Sequence, residues 1–241
     1  MNVTPYTVLV AAGILASIAF WSRLASRDHR LVWIYLAALG GAFAGAKLAY
    51  FAAEGWRDLG QPDMWLRLAT GKSILGGLFG GYAGVEIAKV CVGYRGITGD
   101  WFALIAPAAV ALGRIGCWIH GCCAGSPCSP AWFTVEDAQG VSRWPSAPVE
   151  LLFNVAALTT FLYFRRKRLF PGQHFHLYLI GYGAFRFLHE FLRSELRLVW
   201  KFTGYHFIAL LLFAFGLVSF LRRARLLRET TVRSPVTVVT N

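Results

Sequence analysis

The segment GYGAFRFLHEFLRSE places several polar and charged side chains in a largely apolar stretch of the chain. Tyr182, Arg186, Glu190 and Arg193 are spaced i, i+4, i+8 and i+11, so they share one face of a helix. A charged side chain inside a membrane costs roughly 2.5 to 3.5 kcal/mol, which makes each one a candidate functional residue. The alternatives are a buried ion pair between Arg186 and Glu190 and a snorkelling Arg193.

Another arginine, Arg114, lies in a second apolar segment and cannot lose its proton. Two membrane arginines in the outer halves of different helices suit a phosphate, whose oxygens match the guanidinium fork. A phospholipid headgroup is the phosphate available at that depth. The alternative is purely structural pairing, with Arg114 on Glu86 or Glu150 and Arg186 on Glu190.

Four of the five cysteines fall within twelve residues, in GRIGCWIHGCCAGSPC. A structural disulfide among Cys122, Cys123 and Cys128 fits an oxidising compartment, whereas a reactive thiol would need a neighbour that lowers its pKa. Metal binding with His120 is the weakest interpretation, because no C-x-x-C pair is present. We therefore predict a disulfide and neither a metal nor a cofactor.

The elements that carry these residues are apolar. Of 241 residues, 56% are hydrophobic and only 15% are charged, against about 25% in soluble domains. This composition disfavours a soluble globule, and its many aromatic residues exclude disorder. We predict an all-α polytopic membrane protein with about seven transmembrane helices, over residues 5–22, 31–53, 71–91, 101–120, 147–164, 174–193 and 203–221.

The net charge of +12 reports topology and contact with anionic lipid, and we predict no nucleic-acid partner. Fourteen of the 24 basic residues fall on one side of the seven spans, which the positive-inside rule makes cytoplasmic. The N-terminus is then outside and the C-terminus inside. We expect a single membrane domain over 1–229, with an irregular external loop at 121–146 and a flexible cytoplasmic tail at 230–241.

Five glycines share one predicted helix, and Gly76, Gly80 and Gly84, like Gly77 and Gly81, repeat at the spacing that brings helix backbones together. Helix packing is the favoured interpretation. A bare face that receives a lipid chain or headgroup is the alternative.

Together these motifs resemble those of the prolipoprotein diacylglyceryl transferase family. The sixth-span segment is similar to the family's sixth helix, SILGGLFGG to its glycine-rich third-span motif, ALGRIGCWIHG to its GRxGNFxNG signature and GAKLAY to its GARxxY segment. The resemblance implies transfer of a diacylglyceryl group from phosphatidylglycerol, or a related anionic phospholipid, to the lipobox cysteine of an exported prolipoprotein. It also implies a multi-pass protein of the bacterial cytoplasmic (inner) membrane, with its active site toward the outer half.

Carried over by position, Arg114 and Arg186 match the family's essential arginines, and Glu190 and Arg193 match the acid and base that follow in the sixth helix. Arg186 would be oriented by Glu190. The remaining predicted substrate-binding residues are Tyr6, Gly76, Gly77, Cys117, Gly121 and Tyr182.

The sequence departs from the family at polar positions. Leu75 stands where the family has a histidine, and Cys117 and His120 replace the signature asparagines. His120, one helical turn from Cys117, then becomes the predicted catalytic base. The alternatives are a similar transferase with another acceptor, a membrane thiol-redox protein and an inactive lipid-binding protein.

Overall fold

The computed structural model describes residues 5–137, 139–194 and 197–233, with the side chains of some residues in these ranges, Tyr6 among them, outside the description. Eight α-helices make up most of this part of the chain: α1 (Pro5–Ala25), α2 (Arg30–Ala53), α3 (Met64–Thr70), α4 (Ile74–Cys91), α5 (Gly99–Ile119), α6 (Ser146–Arg166), α7 (His174–Glu190) and α8 (Gly204–Arg233). A 3₁₀ turn, Gly55–Asp58, precedes α3.

Each of the seven predicted apolar segments corresponds to a long helix, and the predicted all-α polytopic membrane fold is confirmed. In the described residues, five helices are long and apolar enough to cross a membrane: α2, α4, α5, α6 and the Gly204–Leu226 part of α8. Large apolar side chains such as Phe43, Leu48 and Val90 are well exposed. Helices suit this setting because lipid offers no hydrogen bonds to an unpaired backbone.

The bundle is organised around pairs of helices, because α2 packs along α4, α7 along α8, and α5 against α6 and α1. Glycine allows the first contact: a Cβ on Gly80 would lie 2.2 Å from the carbonyl oxygen of Gly41. Gly76, Gly80 and Gly84 all face the backbone of α2. For these three glycines the favoured interpretation of the repeat, close helix packing, applies.

Two apolar cores hold the helices together. One includes Leu75, Tyr178 and Leu212 and lies between α4, α7 and α8, while the other, around Trp21 and Ile34, joins α1, α2 and α4. These cores leave the polar residues of α5, α6 and α7 together at one end of the bundle.

Two short hairpins lie at that same end. Strands β1 (Val135–Glu136) and β2 (Ser142–Arg143) pair antiparallel in the connection from α5 to α6, and β3 (Arg197–Val199) pairs with β4 (Phe202–Thr203) just before α8. The predicted irregular loop 121–146 thus contains a hairpin. Of the predicted tail, residues 230–233 continue α8, and residues 234–241 lie outside the described part of the chain.

Candidate functional site

The site is centred on Glu150, a fully buried carboxylate in the first turns of α6. Its Oε2 lies 2.8 Å from Nη2 of Arg114 on α5 and 4.0 Å from Nη1 of Arg186 on α7. The hydroxyl of Tyr182 donates a hydrogen bond of 2.5 Å to Oε1. One acid therefore fixes two arginines from two different helices.

A second carboxylate, Glu190, repeats this arrangement at the end of α7. Its Oε2 lies 2.8 Å from Nη2 of Arg186 and 3.7 Å from Nε of Arg193, and its Oε1 accepts a hydrogen bond from the Thr203 hydroxyl at 3.1 Å. The ion pair between Arg186 and Glu190 is the one that their i, i+4 spacing predicts. Arg193 pairs inward with Glu190 and has a side chain only 11% exposed, so it does not snorkel.

The cluster combines three arginines with two carboxylates, so these five side chains carry a formal charge of +1: Arg114, Arg186, Arg193, Glu150 and Glu190. All five are almost entirely withdrawn from solvent. Because buried charges need partners and guanidinium groups pair with phosphate as well as with carboxylate, the cluster is suited to bind an anion.

A cavity of about 1160 Å³ reaches this cluster, and Arg114, Arg186 and Arg193 line it. It is larger than the roughly 300–1,000 Å³ of ordinary small-molecule sites. Gly77 and Gly81 also line it, whereas Gly76 packs on Gly45 of α2. The two interpretations of the glycine repeat thus apply to different faces of the same helix.

Three thiols lie beside Arg114 at the end of α5. Nη1 of Arg114 is 3.9 Å from Sγ of Cys117, and Cys117 and Cys123 line the cavity. The pKa of Cys123 is lowered to about 5, because the Cys117 thiol hydrogen-bonds to its thiolate and because Arg114 and Arg193 are positive. Burial raises the pKa of Cys122.

All five cysteines have free thiols in the structure. The sulfur atoms of Cys122 and Cys123 are 3.9 Å apart, well beyond the 2.05 Å of a disulfide bond. The disulfide among Cys122, Cys123 and Cys128 stays a prediction.

Three other predicted site residues do not line the cavity. His120, Gly121 and Tyr182 are absent from the described residues that line it. His120 is exposed at the end of α5, Gly121 takes the left-handed turn that follows with φ +67°, and Tyr182 stands behind Glu150. The side chain of Tyr6 lies outside the described residues.

The sequence suggested Glu150 as one of two structural partners of Arg114, and the structure makes it the centre of the cluster. The other proposed partner, Glu86, pairs with Lys89 at 3.0 Å. The available signal was an acid within an apolar span, in a chain with only 12 acidic residues. Because burying a charge in a membrane is costly, Glu150 is as strong a candidate functional residue as the arginines.

The fold and the site define a multi-pass membrane protein with a buried cationic cluster at the end of a large intramembrane cavity. The family model for prolipoprotein diacylglyceryl transferase matches residues 1–222, and the chain belongs to that family.

Individual relatives agree with this assignment. The phosphatidylglycerol–prolipoprotein diacylglyceryl transferase of Clostridium tetani is 26% identical over 210 residues, covering 82% of this chain and 83% of its own. The phosphatidylglycerol–prolipoprotein diacylglyceryl transferase 2 of Clostridium perfringens is 25% identical over 82% of this chain and 81% of its own. That of Cupriavidus metallidurans is 37% identical over 48% of this chain and 46% of its own.

Proposed function

We propose that this protein transfers the diacylglyceryl group of phosphatidylglycerol to the lipobox cysteine of an exported prolipoprotein. The relatives carry both substrates in their names. The observation that carries the proposal is the pair of buried arginines, Arg114 and Arg186, that lines a lipid-sized cavity. The phosphodiester of phosphatidylglycerol bears a negative charge that guanidinium groups bind.

Arg114 and Arg186 bind the phosphate in this proposal. They come from different helices, and Glu150 holds both of them. Such prepositioned donors stabilise charge as it grows on the leaving group, without reorganisation during the reaction. Glu190 orients Arg186 through Nη2, whereas Glu150 lies nearer Nη1, and Glu190 is itself held by Thr203.

The proposed reaction is a displacement at carbon. The acceptor sulfur forms a bond to the glyceryl carbon, the bond from that carbon to the phosphate oxygen breaks with its electron pair, and glycerol phosphate leaves. The thiol proton passes to water at the external end of the cavity. No base is assigned, because His120 does not line the cavity among the described residues and Leu75 is buried in the apolar core.

Fourteen of the 24 basic residues fall on one side of the predicted spans and seven on the other, which supports an external N-terminus and a cytoplasmic C-terminus. The cluster would then lie in the outer half of the bacterial inner membrane, because α5 and α7 end there and α6 begins there. Exported acceptors reach the enzyme from that side.

The test is an assay of purified protein in phosphatidylglycerol vesicles with a peptide that carries the lipobox cysteine. We expect a diacylglyceryl thioether peptide by mass spectrometry, together with released glycerol phosphate. A peptide with serine in place of the cysteine and vesicles of phosphatidylethanolamine serve as controls. Release of glycerol phosphate without modified peptide would show that the acceptor is not the prolipoprotein. Specific binding of a lipid that stays unchanged would show that the protein binds lipid without transferring it.

A further inference from the structure

The external end of α5 carries a compact group of thiols that the transfer reaction does not use. The sulfur atoms of Cys117, Cys122 and Cys123 all lie within 4.8 Å of one another. Cys123 is 3.9 Å from Cys117 and 3.9 Å from Cys122, sulfur to sulfur. Three thiols this close can share one metal ion, because thiolates are metal ligands.

The backbone shapes this group. The helix ends at Ile119, the amide of Cys122 bonds back to the carbonyl of Cys117 at 3.1 Å, and Cys123 itself adopts φ +62°. A non-glycine residue in the left-handed region is strained unless its surroundings hold it there. The strained turn folds Cys123 back toward the helix end and brings its sulfur to Cys117.

We propose that Cys117, Cys122 and Cys123 form a three-thiolate site for a soft monovalent cation of the Cu(I) type. Two sides of the sulfur triangle are 3.9 Å and the third is at most 4.8 Å. The point equidistant from the three sulfur atoms then lies no more than about 2.5 Å from each, close to a metal–thiolate bond of about 2.3 Å. Sulfur ligands select soft metals.

The number of ligands favours Cu(I) over zinc. Structural zinc sites almost always have four ligands, and in the described part of the chain the group consists of these three cysteines alone. Cu(I) is satisfied by three sulfur atoms. On binding, three sulfur–metal bonds replace three S–H bonds, and the protons go to solvent, so no oxidant is required.

The site also touches the proposed lipid cluster. A Cu(I) ion with three thiolates carries a net charge of −2, and the Cys117 sulfur is 3.9 Å from a guanidinium nitrogen of Arg114. The loaded site would compete with a phosphate for that arginine. This consequence, unlike the site itself, rests on the proposed function.

The experiment titrates the reduced, full-length protein in detergent with Cu(I) under anaerobic conditions, against a coloured Cu(I) chelator. We expect one tightly held equivalent, an absorption-edge spectrum with three sulfur neighbours, and loss of binding in Cys122→Ser and in the triple serine variant. Cys91→Ser changes a cysteine at the C-terminal end of α4, outside the group of three thiols. It is the matched control and should bind Cu(I) normally.

Failure to retain Cu(I), equal retention by the triple serine variant, or a preference for Zn²⁺ over Cu(I) would overturn the site. Turnover of phosphatidylglycerol by the same loaded and metal-free samples tests the coupling, with a fall of at least about fivefold expected. Unchanged turnover in a loaded protein would refute the coupling alone, and absent turnover in both samples would refute the proposed function while the metal titration still stands.

Discussion

Arg114 offers the sharpest test of the phosphate cluster, because it lines the cavity and lies on a different helix from Arg186. Arg114→Ala removes a donor that Glu150 holds at 2.8 Å. Loss of one prepositioned donor to a developing anion costs about 2.7–4 kcal/mol, or about 10²–10³ in rate. We expect that loss in the turnover of phosphatidylglycerol, measured as diacylglyceryl peptide by mass spectrometry.

Two further variants separate chemistry from folding. Arg114→Lys keeps the charge but not the planar fork, so it should recover part of the rate. Arg143→Ala removes an arginine of hairpin β1–β2 that pairs with Asp137 near the protein surface, and the loss of this pair should change stability little. Thermal unfolding of each variant checks the fold. Equal losses for Arg114→Ala and Arg143→Ala, with both folded, would refute the phosphate cluster.

Three other substitutions test the fold and the site. Glu150→Gln should destabilise the protein by about 3–5 kcal/mol, because it leaves buried arginines without their shared acid, whereas Glu86→Gln removes a half-exposed pair and should cost under about 1 kcal/mol in chemical unfolding. Gly80→Ala should cost about 1–3 kcal/mol by overpacking, and Gly113→Ala, where a Cβ meets nothing within 4 Å, should not lower the melting temperature. Leu75→His should lower stability without raising turnover, since Leu75 is buried in the apolar core and does not line the cavity; a gain in turnover would contradict this.

The long helices were predictable because each is a continuous run of apolar residues. Such a run can be identified from the sequence without knowing which other helix it contacts. The short elements were not. Helix α3 has seven residues and the strands of the two hairpins have two or three each, and the pairing of these strands depends on tertiary packing. Sequence reasoning therefore predicted the membrane spans and described residues 121–146 only as an irregular cap.

The same distinction applies within the site. The pair Arg186–Glu190 lies within one helix, where a spacing of four residues indicates the contact. The pair Arg114–Glu150 joins α5 to α6, and the sequence offered two acids for it with nothing to decide between them. Only the packing of α5 on α6 places Glu150 there.

The sequence also posed structural pairing and phosphate binding as alternatives, and the charges show why both interpretations apply. Each carboxylate forms an ion pair that neutralises one guanidinium group and holds it in place. Glu150 pairs with Arg114, and Glu190 pairs with Arg186. Arg114, Arg186 and Arg193 also line the cavity, so their guanidinium groups face the space that a lipid would occupy. Pairing thus makes the burial of the arginines tolerable and holds them where an anionic headgroup would meet them.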